Sequence, residues 1–267
     1  MYWDCIYILN LDRMKHRYEE VLERLFQVGI TPLNTNIIRW KGLDGSTKLP
    51  FGKEIYAADD VDKQKELLTK MNTMLKEKKI ISKKIKNDFK PGQIGVYLSF
   101  IQIIQHAKHN NYDRVLILED DVFFREDFIK HAEEIKDKKE DVIFLGSGHN
   151  YWNEQIKKIG INKAKWICPE KIIDKTRVDY PVGCIDLKND TEENNGFLGT
   201  FAYSVNKNAY DKILKNATPM RYVFDIYLGK LYVKNKITVF FYRNPPVYVA
   251  DNGISHTSNL NLNGTKK

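Results

Sequence analysis

Apolar and polar positions at the start of the chain first follow a strand pattern and then a helical one. Residues 4–9, DCIYIL, form a short apolar run that predicts a first strand, and Asn10 ends it. Apolar side chains then recur at helical spacing through residues 12–28, and Gly29 follows as a stop signal. The chain therefore opens with a predicted strand, turn and helix.

The next part of the pattern changes in composition. Residues 37–40 predict a second strand, which the turn Gly42-Leu43-Asp44-Gly45 closes. Residues 53–90 are rich in Lys, Asp and Glu, but their apolar side chains still fit one helical face: Leu67, Leu68, Met71, Met74 and Leu75. We interpret residues 53–90 as an exposed, Lys-rich helical insertion, because such lysines are typical of a solvated face.

Helices and strands alternate through much of the remaining chain. The predicted elements are, in order, an apolar helix 93–109, a strand Arg114–Leu118, a charged helix near 126–138, a strand Val142–Leu145, a buried strand 197–205, a short helix Asn206–Leu214 with Asn206 as its N-cap, and a strand 238–242. Pro245-Pro246 limits the following strand to an edge. The alternation predicts an open α/β sheet, and we expect a single domain over residues 1–267.

One acidic triplet interrupts this apolar pattern. Residues 115–124 read VLILEDDVFF, so Glu119, Asp120 and Asp121 stand between two apolar runs. Three adjacent carboxylates repel one another and lose water there, and a divalent cation would offset that cost. Ligands of open parallel sheets bind outside the carboxyl ends of strands, and the triplet follows such an end. The alternative is that the triplet only ends the strand and caps a helix beginning near Glu126.

Composition narrows the class of protein without choosing a function. The chain has 267 residues, 42% of them apolar, which excludes disordered and fibrous classes. Its net charge of +8 favours an anionic partner such as nucleic acid, a membrane surface or a phosphorylated substrate. Three scattered cysteines predict neither a zinc site nor a disulfide framework. Because no signal-peptide pattern or long apolar run is present, we expect a cytoplasmic protein without a transmembrane segment.

Several short blocks resemble one enzyme family in their order and spacing. The blocks are Ile8-Leu9-Asn10-Leu11-Asp12-Arg13 with Arg17, the turn Gly42-Leu43-Asp44-Gly45, the helix start Gly92-Gln93-Ile94-Gly95-Val96-Tyr97-Leu98-Ser99, Leu118-Glu119-Asp120-Asp121, and the later strand Gly199-Thr200-Phe201-Ala202-Tyr203-Ser204-Val205. Together they resemble glycosyltransferase family 25, which includes lipopolysaccharide-type transferases and procollagen galactosyltransferases. The resemblance implies a GT-A fold, a Rossmann-like open sheet with helices on both faces. It also implies metal-dependent transfer from a nucleotide sugar, here expected to be a UDP-sugar, usually with inversion.

The same resemblance implies roles for individual residues on the donor side. Asn10, Leu11 and Arg13 line the nucleotide-base pocket, and Asp44 lies beside it. Arg13 and Arg17 can add to the positive field around a diphosphate, although an arginine at the position of Arg17 is more typical of a solvated helix surface.

The metal site is expected at a DxD-like motif. The resemblance assigns Glu119 and Asp121 to Mn²⁺ (or Mg²⁺) and Asp120 to the ribose or the donor sugar. Glu119 departs from the usual Asp at the first position, so its longer side chain leaves direct ligation less secure. His256 follows the last strand, where GT-A enzymes often supply a third ligand, and imidazole suits Mn²⁺. His106 and His109 lie on one helix and are interpreted as packing and surface residues rather than a metal pair.

The acceptor side needs a group that takes a proton from a hydroxyl. Asp225 lies in the aromatic and apolar run 222–227, where a carboxylate is costly unless it is paired or lines a site. It is our candidate base, with capping of the helix that it begins as the alternative, and Glu192 and Glu193 as rival bases. The expected acceptor is a hydroxyl of a glycan or of a hydroxylysine-containing, collagen-like protein. Oligomeric state is not indicated.

Two other classes remain open at this level. An α/β phosphotransfer or phosphatase-like enzyme also places acidic pairs at strand ends, but Asp141 begins its strand rather than ending it. A basic binding module would use the positive surface, yet no RNP-like, KH or helix-turn-helix pattern is present, so no nucleic-acid partner is expected.

Overall fold

A computed structural model describes residues 2–85, 87–146, 199–242 and 245–249. Six strands form one sheet in the order β2-β1-β3-β6-β5-β7. Their bounds are β1 (Cys5–Asn10), β2 (Ile37–Lys41), β3 (Arg114–Glu119), β5 (Val142–Gly146), β6 (Ala202–Asn206) and β7 (Val239–Phe241). A second, two-stranded sheet pairs β4 (Val122–Phe124) with β8 (Val247–Val249).

The strand directions bring several carboxyl ends to one edge of the large sheet. Strand β1 runs parallel to β2 and β3, while β6 is antiparallel to both of its neighbours, β3 and β5. In this register Leu9 lies opposite Glu119, and Asn10 lies opposite Lys41. The residues that follow β1, β2 and β3 are therefore neighbours in space, although they are far apart in the sequence.

Helices cover both faces of this sheet. A short 3-10 turn (Asp12–Met14) precedes α1, and the helices are α1 (Lys15–Gln27), α2 (Gly45–Lys48), α3 (Gly52–Ala57), α4 (Val61–Glu77), α5 (Pro91–His109), α6 (Phe128–Ile135), α7 (Lys207–Leu214) and α8 (Phe224–Val233). Alternate residues of β1 enter two hydrophobic clusters, Cys5 and Tyr7 on one face and Ile6 and Ile8 on the other. Helices α4, α5, α7 and α8 pack on the first face, and α1 and α6 on the second. The expected Rossmann-like α/β fold is confirmed.

The Lys-rich segment is joined to the core by its apolar side. Leu68, Met71 and Leu75 of α4 are buried in the first hydrophobic cluster. The side chain of Asn72, also buried, bonds both the N–H and the carbonyl of Phe89. The described part of residues 53–90 is thus a helical layer with a buried apolar face, and its lysines lie on the exposed side.

The acidic triplet lies between two strands and does not cap a helix. Strand β4 begins at Val122, directly after Asp121, and α6 begins only at Phe128, so the capping interpretation of the triplet is wrong. This three-residue strand was not predicted, because it is stable only through pairing with β8, a contact between distant parts of the chain. The predicted cap at Asn206 is confirmed, since its side chain accepts a hydrogen bond from the N–H of Asn208.

Candidate active site

The acidic triplet Glu119–Asp121, called here the acidic turn, lies at the carboxyl end of β3 beside the end of β1. The N–H of Glu119 donates to the carbonyl of Phe201 at 2.9 Å, which continues the pairing of β3 with β6. Asn10 Nδ2 donates to Asp120 Oδ2 at 2.6 Å. The turn is therefore fixed from two sides, by the sheet and by the side chain that ends β1.

Arg17 is the cation that contacts this turn from α1. Its guanidinium lies 3.6 Å from Asp120 Oδ1 and 3.9 Å from Asp121 Oδ2, and its side chain is 19% exposed. The interpretation of Arg17 as a merely solvated helix residue is therefore wrong. The sequence spacing could not show that α1 turns this position toward β3.

Negative charge is crowded and incompletely balanced at the acidic turn. Burial, and then the charges of Asp121, Asp120 and Asp225, hold the pKa of Glu119 well above its usual range. Burial and the charge of Asp120 also raise the pKa of Asp121, against the opposing effect of Arg17. One oxygen of that carboxylate, Asp121 Oδ1, is buried and has no hydrogen-bond partner among the described residues. A buried, unpartnered carboxylate oxygen is unfavourable, and it marks a place where a ligand would be stabilising.

Asp225 approaches the acidic turn from the first turn of α8. Its Oδ2 accepts the N–H of Gly199 at 3.1 Å and its Oδ1 accepts the N–H of Ile226 at 2.8 Å. Burial raises the pKa of Asp225 above its ordinary value, although these backbone N–H groups oppose the shift. The carbonyl of Phe201, two residues after Gly199, accepts the N–H of Glu119, so Asp225 is bonded to the segment that pairs with the acidic turn. The N-cap of α8 is Val223 and Asp225 is the second residue of the helix, so the interpretation of Asp225 as the cap of the helix that it begins is wrong.

The turn after β2 holds Asp44 beside Arg13. Arg13 Nε donates to Asp44 Oδ2 at 2.8 Å, and Asp44 Oδ1 accepts from the N–H and the hydroxyl of Ser46 at 2.9 and 2.6 Å. Burial acts to raise the pKa of Asp44, but the hydrogen bonds from Ser46 and Arg13 hold that pKa below its ordinary value. Leu11 lies against the same turn, since a Cβ placed on Gly42 would be 3.2 Å from its side chain.

Close backbone packing explains why this turn contains glycines. A Cβ on Gly45 would lie 2.1 Å from the carbonyl oxygen of Pro91, and one on Gly95 would lie 2.3 Å from that of Leu43. Ser99 Oγ completes the contact by accepting the N–H of Leu43 at 2.8 Å. The turn therefore packs directly on the first three turns of α5, and this contact fixes the position of Asp44.

Comparison with known families identifies the class of enzyme. A family model described as glycosyltransferase family 25 (LPS biosynthesis protein) matches residues 4–228. The chain belongs to glycosyltransferase family 25. No curated protein matches the chain significantly. The matched range includes the acidic turn, Asp44 and Asp225, so all of them lie within the family 25 domain.

Membership in family 25 makes the chain a glycosyltransferase, which needs a sugar donor and an acceptor. It sets aside the phosphotransfer and binding-module alternatives. The carboxylate at the start of β5, Asp141, is bonded to Lys212 and Thr238, as a structural residue would be. Among the described residues, no helix combines the length and the apolar character that crossing a bilayer requires.

The structure brings together most of the expected donor-side residues of this glycosyltransferase. Asn10, Leu11, Arg13 and Asp44 gather at the ends of β1 and β2, beside the acidic turn. His256, Glu192 and Glu193 lie outside the described residues. Within the described ranges, no group of three or more His, Cys, Asp and Glu side chains is arranged to hold a metal ion. His106 bonds the hydroxyl of Tyr7 at 2.6 Å and packs edge-on against Trp40, which confirms the packing interpretation.

Two residues beside the candidate site were not identified from the sequence. Arg39, in the middle of β2, donates to Asn10 Oδ1 at 2.8 Å. Tyr203, on β6, has a buried hydroxyl without a hydrogen-bond partner among the described residues, and burial with the charge of Glu119 raises its pKa. A lone arginine in the strand IIRWK was a signal for Arg39, because a charged side chain in an apolar strand needs a partner. Tyr203 offered no signal, since tyrosine is common in buried strands.

Proposed function

We propose that this family 25 enzyme transfers a sugar from a UDP-sugar to a hydroxyl of a glycan or a hydroxylysine-containing protein, with a divalent cation and with inversion at the anomeric carbon. The observation that carries the proposal is the acidic turn. It presents crowded carboxylates at the carboxyl ends of parallel strands, between the Arg13–Asp44 pair and Asp225. Nucleotide ligands bind at this edge of α/β sheets.

The residues present fit a hard divalent cation. Carboxylate oxygens are the ligands that Mg²⁺ and Mn²⁺ prefer. Asp121 Oδ1 is such an oxygen, and it is buried without a hydrogen-bond partner among the described residues. Asp121 and Glu119 would hold the ion, with His256 proposed as a further ligand. When bound, the ion would neutralise the charge that develops on the leaving diphosphate.

Residues at the ends of β1 and β2 and on α1 would bind and orient the UDP part of the donor. Leu11, Arg13 and Asp44 lie together at the ends of β1 and β2 and would receive the nucleoside. Arg17 lies within 4 Å of both aspartates of the turn and would add positive charge beside the diphosphate.

Asp225 would act on the other side of the sugar. In an inverting transfer the acceptor oxygen forms a bond to the anomeric carbon as the bond from that carbon to the phosphate oxygen breaks. The hydroxyl proton passes to Asp225, and UDP leaves with the electron pair of the broken bond. A raised pKa makes the Asp225 carboxylate a better proton acceptor than an exposed aspartate.

The first test is hydrolysis and transfer with a panel of UDP-sugars, with and without Mn²⁺. Wild type and Asp121→Asn are compared with Asp127→Asn, a nearby carboxylate that instead pairs with Arg125. We expect metal-dependent release of UDP from one donor, a loss of at least about 100-fold in Asp121→Asn, and little change in Asp127→Asn.

The proposal makes a second prediction that does not depend on the acceptor. Calorimetry should show that Mn²⁺ tightens UDP binding to wild type but not to Asp121→Asn. Equal UDP affinity with and without Mn²⁺, together with transfer that persists in EDTA, would show that the acidic turn works without a metal ion.

A further inference from the structure

The side chain of Asn10 joins three neighbouring strands, β1, β2 and β3. Its Oδ1 accepts from Arg39 Nε on β2 at 2.8 Å. Its Nδ2 donates to the carbonyl of Met14 at 2.8 Å and to Asp120 Oδ2, after β3, at 2.6 Å. Asn10 itself is 1% exposed, so these bonds are shielded from water.

Only an amide satisfies this set of partners. Arginine can only donate and a carbonyl can only accept, so Oδ1 must face Arg39 while Nδ2 faces Met14 and Asp120. A carboxylate at position 10 would place an acceptor against two other acceptors. An aliphatic side chain would remove one hydrogen bond from each of the three partners. The contacts therefore use both N–H groups of the Asn10 amide.

Arg39 and Asp120 are themselves held at their outer ends. The guanidinium of Arg39 lies 3.3 Å from Asp12 Oδ1, and its side chain is 25% exposed. At the other end, Arg17 lies near the second oxygen of Asp120. A continuous series of polar contacts thus runs from Arg39 through Asn10 and Asp120 to Arg17, across the carboxyl edge of the sheet.

We propose that Arg39 and Asn10 are positioning residues that orient the Asp120 carboxylate, and through it the acidic turn, for the nucleotide-sugar donor. This inference rests on the proposed function. Asn10 then acts on the donor through Asp120 and not by contacting the nucleotide, because both N–H groups of its amide are already used and the residue is 1% exposed. Arg39, on the second strand of the fold, becomes part of the donor site although it does not reach the acidic turn itself.

The test compares two substitutions of Arg39 with a matched control. Arg39→Met removes the donor to Asn10, and Arg39→Lys keeps a positive charge and one N–H donor. Lys41→Met makes the same change of charge two residues further along β2, at a side chain that is 69% exposed and pairs with Asp12. Each protein is measured for UDP affinity by calorimetry with Mn²⁺, and for KM of the donor and kcat.

We expect Arg39→Met to raise both the Kd for UDP and the KM of the donor about tenfold while kcat changes less than about threefold, since a misplaced donor ligand weakens binding. Arg39→Lys should recover part of the lost affinity, and Lys41→Met should stay within about twofold of wild type. Asn10→Leu should show at least the defect of Arg39→Met. Arg39 lies on an edge strand, so its variants should fold even where Asn10→Leu does not.

Two outcomes would overturn the inference. One is a lowered melting temperature in Arg39→Met with unchanged Kd and KM. The other is an equal defect in Lys41→Met, which would show that losing any positive charge on β2 weakens UDP binding. If wild type binds no UDP and turns over no donor, the proposed function itself fails. In that case, crystal structures of wild type and Arg39→Met test only whether Arg39 orients the Asp120 carboxylate. A displaced carboxylate supports the inference, and an unmoved one rejects it.

Discussion

Asp225 is subject to two opposing influences on its charge. Burial disfavours the carboxylate, whereas the N–H groups of Gly199 and Ile226 stabilise it. The net effect is a raised pKa, which suits a group that must lose its proton before the reaction and regain one during it. Backbone donors also fix the direction of the carboxylate, since they cannot rotate away as a side chain can.

Replacing this carboxylate should separate chemistry from binding. We expect Asp225→Asn to lower kcat for transfer by about 100-fold or more, the usual contribution of a general base, because the amide keeps the shape but cannot accept the proton. UDP affinity should stay within about twofold. Steady-state kinetics with a saturating acceptor and calorimetry with UDP measure the two effects.

Asp211→Asn is the control for this prediction, because that carboxylate is 78% exposed and pairs with Lys108 on the surface. It should leave kcat unchanged. Full transfer activity in Asp225→Asn would assign the base to another residue and leave Asp225 as a structural residue that bonds Gly199 and Ile226.

At the residue scale, the sequence indicated candidate residues where a charged side chain stands in an apolar run. It could not indicate contacts that depend on how the strands and helices pack. Carboxylates inside apolar runs identified the acidic turn and Asp225 as candidates. Arg17 was undervalued, because its helical spacing resembles any solvated surface. The amide of Asn10 was expected in the base pocket, and no local pattern could show that Arg39 and Asp120 surround it. Such contacts join residues from three strands, and they exist only once the register of β1, β2 and β3 is fixed.

At the scale of elements, the turn between β2 and α2 depends on contact with α5. Neither side of that contact has room for a side-chain carbon, because backbone atoms face Gly45 and Gly95 directly. The contact positions Asp44 at the N-terminus of α2, where its carboxylate also accepts the N–H of Ser46. The proposed donor pocket and the packing of α5 therefore share one glycine-dependent junction.

Gly45→Ala should disrupt that junction. Its Cβ would lie 2.1 Å from the carbonyl oxygen of Pro91, so the turn and α5 must separate. We expect a loss of about 3 kcal/mol in the free energy of unfolding, measured by urea denaturation, at the upper end of the usual cost of overpacking, because backbone atoms cannot move aside as side chains do.

Gly29→Ala is the matched control for this effect. Gly29 has φ of +84°, but no atom lies within 4 Å of the position that its Cβ would take, so only conformational strain of about 1 kcal/mol is expected. Equal losses in the two variants would mean that close packing at Gly45 contributes nothing beyond ordinary glycine strain.

Elements with strong periodicity were predicted well, and elements that depend on distant partners were not. The first strand, the helix that follows it, α5 and the cap of α7 agree with the sequence patterns, since each has several apolar repeats or a specific cap residue. Strand β4 has only three residues and pairs with β8, so local propensity could not indicate it. The strand order was also beyond the sequence, because the antiparallel β6 enters the middle of the sheet from late in the chain.

On the scale of the whole molecule, Asp141 fastens three elements that are distant in sequence. It precedes β5, accepts two bonds of 2.7 Å from Lys212 on α7, and accepts the N–H of Thr238 before β7 at 2.8 Å. Its side chain is 4% exposed, so its charge relies on these donors. These contacts lie on the side of the sheet that contains β5, β6 and β7. None of these three strands pairs in parallel with β1, β2 or β3.

Removing the positive charge of Lys212, which pairs with Asp141, should destabilise the fold without changing the candidate active site. We expect Lys212→Met to lower the free energy of unfolding by about 1–2 kcal/mol, less than for a fully buried pair, because Lys212 is 42% exposed. Lys108→Met breaks a surface pair with Asp211 and should cost no more than about 0.5 kcal/mol. Thermal and chemical denaturation measure both, and equal losses would contradict a special role for Asp141.

The segment 199–202 contacts both Asp225 and the acidic turn of the candidate site. The N–H of Gly199 donates to Asp225, and the carbonyl of Phe201 accepts the N–H of Glu119. Ala202, at the start of β6, lies opposite both Leu118 of β3 and Gly146 of β5, which fixes this segment between two strands. A displacement of these four residues would therefore move the acidic turn and Asp225 together.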